Sequence, residues 1–440
     1  MTFVATAVRR AAAFVDRWDW VWLICAAPFL LFPSVGRSPA LLVVPAVWLA
    51  GLVARRPLTT RTPLNCALLV MFVMVLVSEW ATYDIAVSLP KIGGLVLGVG
   101  VFFALVRLGE SPRGWWVACG VFGFVGLGIA GLGLIATNFG TKIAALAPIT
   151  TRLTPRLSGL PGAEPGFSAN ELAGALVWVA PLLLMLTVAA ARWRRGRSRL
   201  VTLALALGTG VVCGVLVLTQ SRGGYLGFCV SLVFMLLLGV PRRWRAAVLV
   251  VILVVSALGV GLALTQPDRL AALFSSQNPT DATDPGAMIE SANGRVEVWS
   301  RAIYGIQDFP FTGMGLNTFR RVVTVLYPFF LFAPDMDIGH AHNEFLQAAL
   351  DLGIPGLIAF IAIYLIAFWM LLEIWRTAPG TPAPALLRAL ALGLGGGLFA
   401  HIVYGLTDAV ALGAKAGLMY WMLLGLIVGL HRQSETRVAG

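Results

Sequence analysis

Twelve runs of roughly 17–25 mostly apolar residues, the length that carries a helix across a bilayer, set the limits on what this chain can fold into. They lie near 18–36, 39–54, 64–80, 85–106, 114–136, 170–191, 199–219, 222–240, 246–265, 353–375, 384–406 and 411–430. Hydrocarbon offers no water to a backbone N–H or C=O, so each run must pair its own polar groups, as a helix does. Composition agrees: 59% of the 440 residues are hydrophobic and only 12% charged, against about a quarter charged in a soluble domain. The predicted fold is an all-α integral membrane protein with about twelve transmembrane helices and a large, partly helical extracytoplasmic loop. Arg9, Arg10 and Arg17 precede the first run without an Ala-x-Ala-like cleavage site, so that run reads as a retained anchor. The five cysteines all fall inside apolar runs with no metal-ligand spacing, and read as packing residues.

The net charge of +12 is decided by where the arginines sit. One alternate set of loops carries Arg55, Arg56 and Arg61, then Arg107 and Arg113, then Arg192 to Arg199, then Arg242, Arg243 and Arg245, then Arg376 and Arg388. Both tails join this set, and the opposite short loops carry almost nothing positive. This is a topogenic pattern, and it puts both termini in the cytoplasm; it gives no reason to expect nucleic acid. Two long connections then face outward, 137–169 and 266–352. The second, about 87 residues, carries QNPTDATDPG at 277–286 and an amphipathic helical pattern near 294–307, and is long enough to be a small folded lid. The chain divides into 1–265, with nine helices, 266–352, the lid with donor and acceptor sites, and 353–440, with three helices and a tail. There is no internal repeat of the kind that marks inverted-repeat transporters.

The outer side holds the residues suited to chemistry. Residues 339–356 read GHAHNEFLQAALDLGIPG, placing His342 at the mouth of a membrane helix, where an ionisable group needs a reason. It reads as a histidine satisfied by the backbone, as a metal ligand with His340, or as a general base. An i, i+2 histidine pair beside Asp335 and Asp337 is a thin ligand set. Either Glu344 or Asp351 could orient His342. Arg222, in TQSRGGYLGF at 219–228, is either a snorkelling side chain or a phosphate ligand at a helix start, where free N–H groups and the helix dipole favour anions. Arg295 opens SANGRVEVWSRAIYGIQDFPFTGMGLNTF at 291–319, with Glu297 and Arg301 further along, and Gly313-Met314-Gly315 reads as a turn back toward the membrane. Asp408, in GLTDAV, and Glu171, in SANELAG, read as helix-end caps or cavity liners. No Walker A or kinase signature is present. Two arginines and a histidine suit an anionic substrate that brings its own leaving group.

His342-Asn343, nine residues, Gly353, two residues and Gly356 together resemble the signature of the O-antigen ligase and polymerase superfamily. The SRGGYLGF and NGRVEVWSRAI…FTGMGLNTF segments are similar to that family's, in the same order, so the specific likeness covers roughly residues 200–375. The resemblance implies a C-type membrane glycosyltransferase without metal or cofactor. It would move a glycan from undecaprenyl pyrophosphate to a hydroxyl on lipid A core or on a growing glycan, at the periplasmic face of a bacterial inner membrane. Carried over residue by residue, His342 would be the base and Arg222 and Arg295 would bind pyrophosphate, with His340, Asn343, Glu344, Arg301 and Asp408 as accessory candidates. A lone base with no carboxylate nucleophile predicts inversion. A polymerase with the same donor chemistry, and a transporter of polyprenyl lipid or glycan, are the rival expectations.

Overall fold

The computed structural model describes residues 2–32, 35–57, 59–159, 166–192, 198–265, 292–333, 336–410, 412–413 and 415–439. The QNPTDATDPG stretch and Asp335 lie outside the described residues. The described chain is helical, with no strand and one isolated bridge between Thr137 and Phe167. Its helices are α1 (Thr2–Arg17), α2 (Asp19–Leu31), α3 (Val43–Val53), α4 (Asn65–Ala81), α5 (Ile85–Leu108), α6 (Pro112–Ala136), the single turn α7 (Ala147–Thr150), α8 (Ala169–Arg192), α9 (Ser198–Leu218), α10 (Arg222–Gly239) and α11 (Arg242–Thr265). After them come α12 (Ala292–Asp308), α13 (Phe319–Leu326), α14 (Glu344–Thr377), α15 (Pro384–Gly405) and α16 (Gly417–Ala439).

A helix stands at each of the twelve apolar runs. Among the described residues, seven are long and apolar enough to cross a membrane: α5, α6, α8, α9, α10, α14 and α15. Three more, Asp19–Leu31, Pro39–Val53 and Asn65–Ala81, are apolar but shorter. The protein is an all-α membrane protein. The basic N-terminal stretch, expected as a tail, is a helix whose Val4, Val8 and Phe14 are exposed. The tenth run begins nine residues earlier than its apolar stretch suggested, because Asn343 caps α14 ahead of Glu344.

The bundle is built around α8, which packs on α6, α9, α10 and α15, while α5 pairs with α16 and α4 with α14. Burial of Trp178, Phe102, Phe122, Tyr404 and Trp421 fills the centre. A second, smaller apolar cluster (Val298, Ala302, Met314, Phe319, Val323, Phe332 and Ile338) closes over Ala341 and Leu350 at the start of α14. The described part of the connection therefore gathers an apolar cluster of its own. Polar contacts sort to the two ends of the bundle. At one end Asp19 takes Arg56 and Arg107, Glu373 takes His431, and Arg432 reaches Glu110. At the other, Lys91 meets Asp351, Thr82 meets Thr318, and Asp408 faces His340.

Candidate active site

The site is organised by the start of α14. Asn343 takes extended backbone (φ −157°) and its Oδ1 accepts from the N–H groups of Phe345 and Leu346, both at 3.0 Å. It thereby satisfies two of the donors every helix start leaves open. Its Nδ2 donates to Leu406 O at 3.2 Å, lashing this helix start to the end of α15. Three turns on, Gly353 leaves helical geometry (φ 70°, ψ 177°) and Pro355 follows. The break frees Leu350 O and Ile354 N, and the lid takes both: Met314 N donates to Leu350 O at 2.7 Å, and Ile354 N donates to Pro310 O at 2.7 Å. A Cβ on Gly353 would sit 2.6 Å from Phe311 O, and one on Gly313 2.7 Å from Gly353 N. The Gly-x-x-Gly spacing is thus a socket for the lid turn at 310–314.

Immediately before the cap, His342 has φ 46°, a region that non-glycine residues enter at a cost and that is found at functional sites. Its backbone N–H donates to His340 Nδ1 at 3.2 Å, so His340 carries its proton on Nε2, which lies 3.5 Å from Asp408 Oδ1. His342 Nδ1 lies 3.7 Å from the same oxygen, in ion-pair range but longer than a hydrogen bond. The imidazole rings are 4.2 Å apart. Asp408 is buried, accepts from the Tyr404 hydroxyl at 2.9 Å through Oδ2 and from Ala409 N at 2.9 Å through Oδ1. Burial works to raise its carboxyl, yet the two imidazoles and these donors outweigh it and hold the group below its ordinary value. Burial pushes His340 down to about 3, with His342 adding to the effect and Asp408 opposing it, so this imidazole is neutral at physiological pH.

Both arginines predicted for phosphate are carried to this place by their elements. Arg222 is the first residue of α10, capped by Ser221 Oγ, which accepts from Gly224 N at 3.2 Å. The next residue, Gly223, approaches Thr407 so closely that a Cβ would lie 2.3 Å from Oγ1, so Arg222 stands beside the Thr407-Asp408 loop. The Arg222 side chain is exposed. Arg295 lies one turn before Trp299 on the same face of α12, and Trp299 Nε1 donates to His342 O at 3.4 Å. The Nε of Arg295 is buried with no hydrogen-bond partner among the described residues.

Other candidates are held elsewhere. Arg301 donates to Pro328 O at 3.0 Å, pairs with Glu297 and lies over the Phe330 ring; Glu297 in turn accepts from Phe330 N and Leu331 N. The pair pins residues 328–331 inside the lid. Both carboxylates expected to orient His342 are engaged by other side chains. Glu344 is buried against His401 (3.2 Å to Nδ1), whose ring stacks on Trp178. Asp351 binds Lys91 Nζ at 3.0 Å, Gln347 Nε2 at 2.8 Å and Asn317 N at 3.1 Å, joining the lid turn to α5. The carboxylate at the histidines is Asp408, 66 positions further along the chain, and it is no helix cap. Lys91, a charge inside the fourth apolar run, is the second residue of this end that the sequence pattern did not single out, although a charge in an apolar run was a signal for it.

As to a metal, Asp408 and the two histidines are the grouping with ligand spacing among the described residues, their ligand atoms all within 4.8 Å of one another. They would suit a cation, and equally a carboxylate-held imidazole pair.

Residues 207–361 match the O-antigen ligase family. That segment, about a third of the chain, is similar to the O-antigen ligase and polymerase superfamily. No curated protein matches it. The matched segment holds Arg222, Arg295 and the His340–His342 pair, whereas Lys91 and Asp408 come from outside it.

Proposed function

We propose that the protein is a membrane glycosyltransferase of O-antigen ligase type, moving a glycan from undecaprenyl pyrophosphate to an acceptor hydroxyl at the outer face of a bacterial cytoplasmic membrane. The reading is supported above all by Asp408 Oδ1 lying within reach of both imidazoles beside the starts of the two helices that carry Arg222 and Arg295. His342 is the general base. Asp408, on the Nδ1 side, is a positioning residue that keeps Nε2 available for the acceptor proton. The acceptor oxygen loses its proton to His342 as it bonds the anomeric carbon. The bond from that carbon to the pyrophosphate oxygen breaks, and the electron pair leaves with undecaprenyl pyrophosphate, whose charge Arg222 and Arg295 stabilise. One displacement without a carboxylate nucleophile gives inversion.

The twelve helices then form twelve crossings with both termini cytoplasmic, and residues 266–352 form the lid. The test is glycan transfer by purified protein from a polyprenyl-pyrophosphate donor. His342→Ala is expected to lose about 10²–10⁴-fold in kcat, the usual worth of a positioned base. Asp408→Asn is expected to lose kcat with KM for donor little changed, whereas Arg222→Ala raises KM. Full activity of His342→Ala, or a retained anomeric configuration, sinks the mechanism; loss of wild-type activity in EDTA would assign the Asp408 cluster to a metal instead. Offering lipid A core and, separately, a second lipid-linked glycan as acceptor separates ligase from polymerase.

A further inference from the structure

At the end of the bundle opposite His342, an open cavity of about 1110 Å³ edged by charged residues lies between the α1–α2 junction, the loop after α3 and the α5–α6 turn. Five arginines line it: Arg17, Arg56, Arg61, Arg107 and Arg113. Asp16, Asp19 and Glu110 also line it, so two positive charges are in excess. The pairing within it is uneven. Asp19, buried in the floor, accepts from Arg107 Nε at 2.9 Å and lies 3.3 Å from Arg56 Nη1, and Arg56 also pairs with Asp16. Glu110 faces Arg432, outside the lining, at 3.3 Å. The side chains of Arg17, Arg61 and Arg113 have no hydrogen bond or ion pair among the described residues, so three guanidiniums edge the cavity uncompensated. Thr59, Thr60 and Ser111 supply hydroxyls between them.

We infer that this cavity binds the phosphate groups of an anionic lipid headgroup. Guanidinium forks match phosphate oxygens bidentately and are less strongly hydrated than ammonium groups. The depth is that of headgroups. Helix α1 leads into the cavity with Val4, Val8 and Phe14 exposed on an amphipathic helix, and Trp18 and Trp22 stand exposed just after it. An amphipathic helix of this kind lies in the interface plane, and tryptophans gather at the same level. The volume exceeds what one phosphate needs and accommodates a headgroup bearing two.

The experiment uses the full-length protein, delipidated in neutral detergent, followed by native mass spectrometry and thermal denaturation with four separate probes: cardiolipin, phosphatidylglycerol, phosphatidylcholine and inorganic pyrophosphate. Cardiolipin is expected to be retained most and phosphatidylcholine least. The double variant Arg61→Gln/Arg113→Gln spares the paired floor and is expected to weaken retention on the order of twentyfold, about fivefold for each arginine removed. Arg9→Gln/Arg10→Gln removes the same charge from α1 outside the lining and is expected to leave retention unchanged. Equal loss in both variants, or none in either, overturns the proposal. Stabilisation by pyrophosphate alone, sensitive to Arg61 and Arg113 while the lipids have no effect, overturns the lipid source and keeps the phosphate chemistry. Gel filtration and melting of both variants without probe separate lost binding from lost folding.

Discussion

Asp408 holds the two histidines from the loop after α15, with Oδ1 3.5 Å from His340 Nε2 and 3.7 Å from His342 Nδ1. His342, Arg222 and Arg295 could be singled out because each sits in a short segment of unusual composition. A partner for His342 was expected from Glu344 or Asp351, the carboxylates that follow it in sequence. Helix geometry turns Glu344, one residue past the cap, inward to His401, and puts Asp351 two turns along, where Lys91 takes it. The end of α15 supplies Asp408 instead, and only packing could bring it there. The network has a pH consequence. The folded value of His340, about 3, lies below its ordinary 6.5; its contribution to stability is therefore complete above pH 6.5 and is lost progressively as pH falls toward 3. Asp408, also lowered, has the same sign and loses its part below the ordinary carboxylate value of 3.8. Melting temperature in detergent is expected to fall between pH 7 and pH 4, with a shallower fall in His340→Gln. Identical slopes in the two proteins would remove His340 as the source.

The element that carries most of the site is α14, and its working parts are a cap and a break. The sequence showed the Gly353-x-x-Gly356 spacing but not its use, because the lid turn that fills the break lies some forty residues upstream. Substituting Gly353→Ala both forces a side chain into positive φ, at a cost of roughly 1–3 kcal/mol, and drives a Cβ to 2.6 Å from Phe311 O. The lid turn is expected to undock while the bundle stays folded, so limited proteolysis should accelerate within 292–340 and transfer activity should fall. Unchanged cleavage there would show that the turn is held by Asp351 and Asn317 alone. The cap answers to a different pair of variants. Asn343→Ala loses both the cap, worth about 1 kcal/mol, and the bond to Leu406 O. Asn343→Asp keeps the cap and loses the bond, so lower activity in both, with melting temperature lowered only in Asn343→Ala, assigns the loss of activity to the α14–α15 lashing.

For the whole molecule, the pattern of apolar runs anticipated a helix at every position, because hydrocarbon leaves the backbone no alternative. What it could not give was α1, whose apolar residues are too sparse for a membrane run and emerge only as one face of a helix. The orientation rests on charge. Arginines of loops far apart in sequence meet at one end of the bundle, where Arg56 and Arg107 share Asp19 and Arg432 reaches Glu110, and His342 stands at the other. By the positive-inside rule the arginine end is expected to be the cytoplasmic one. In a background with Cys25, Cys66, Cys119, Cys213 and Cys229 replaced by alanine, Val325→Cys, exposed on α13 near the site, is expected to react with a membrane-impermeant maleimide on intact spheroplasts. Glu110→Cys, exposed at the arginine end, is expected to react only after lysis. The opposite order would turn the molecule over and place His342 in the cytoplasm, where a donor displayed on the outer leaflet could not reach it. Orientation and chemistry therefore stand or fall together in this one labelling experiment.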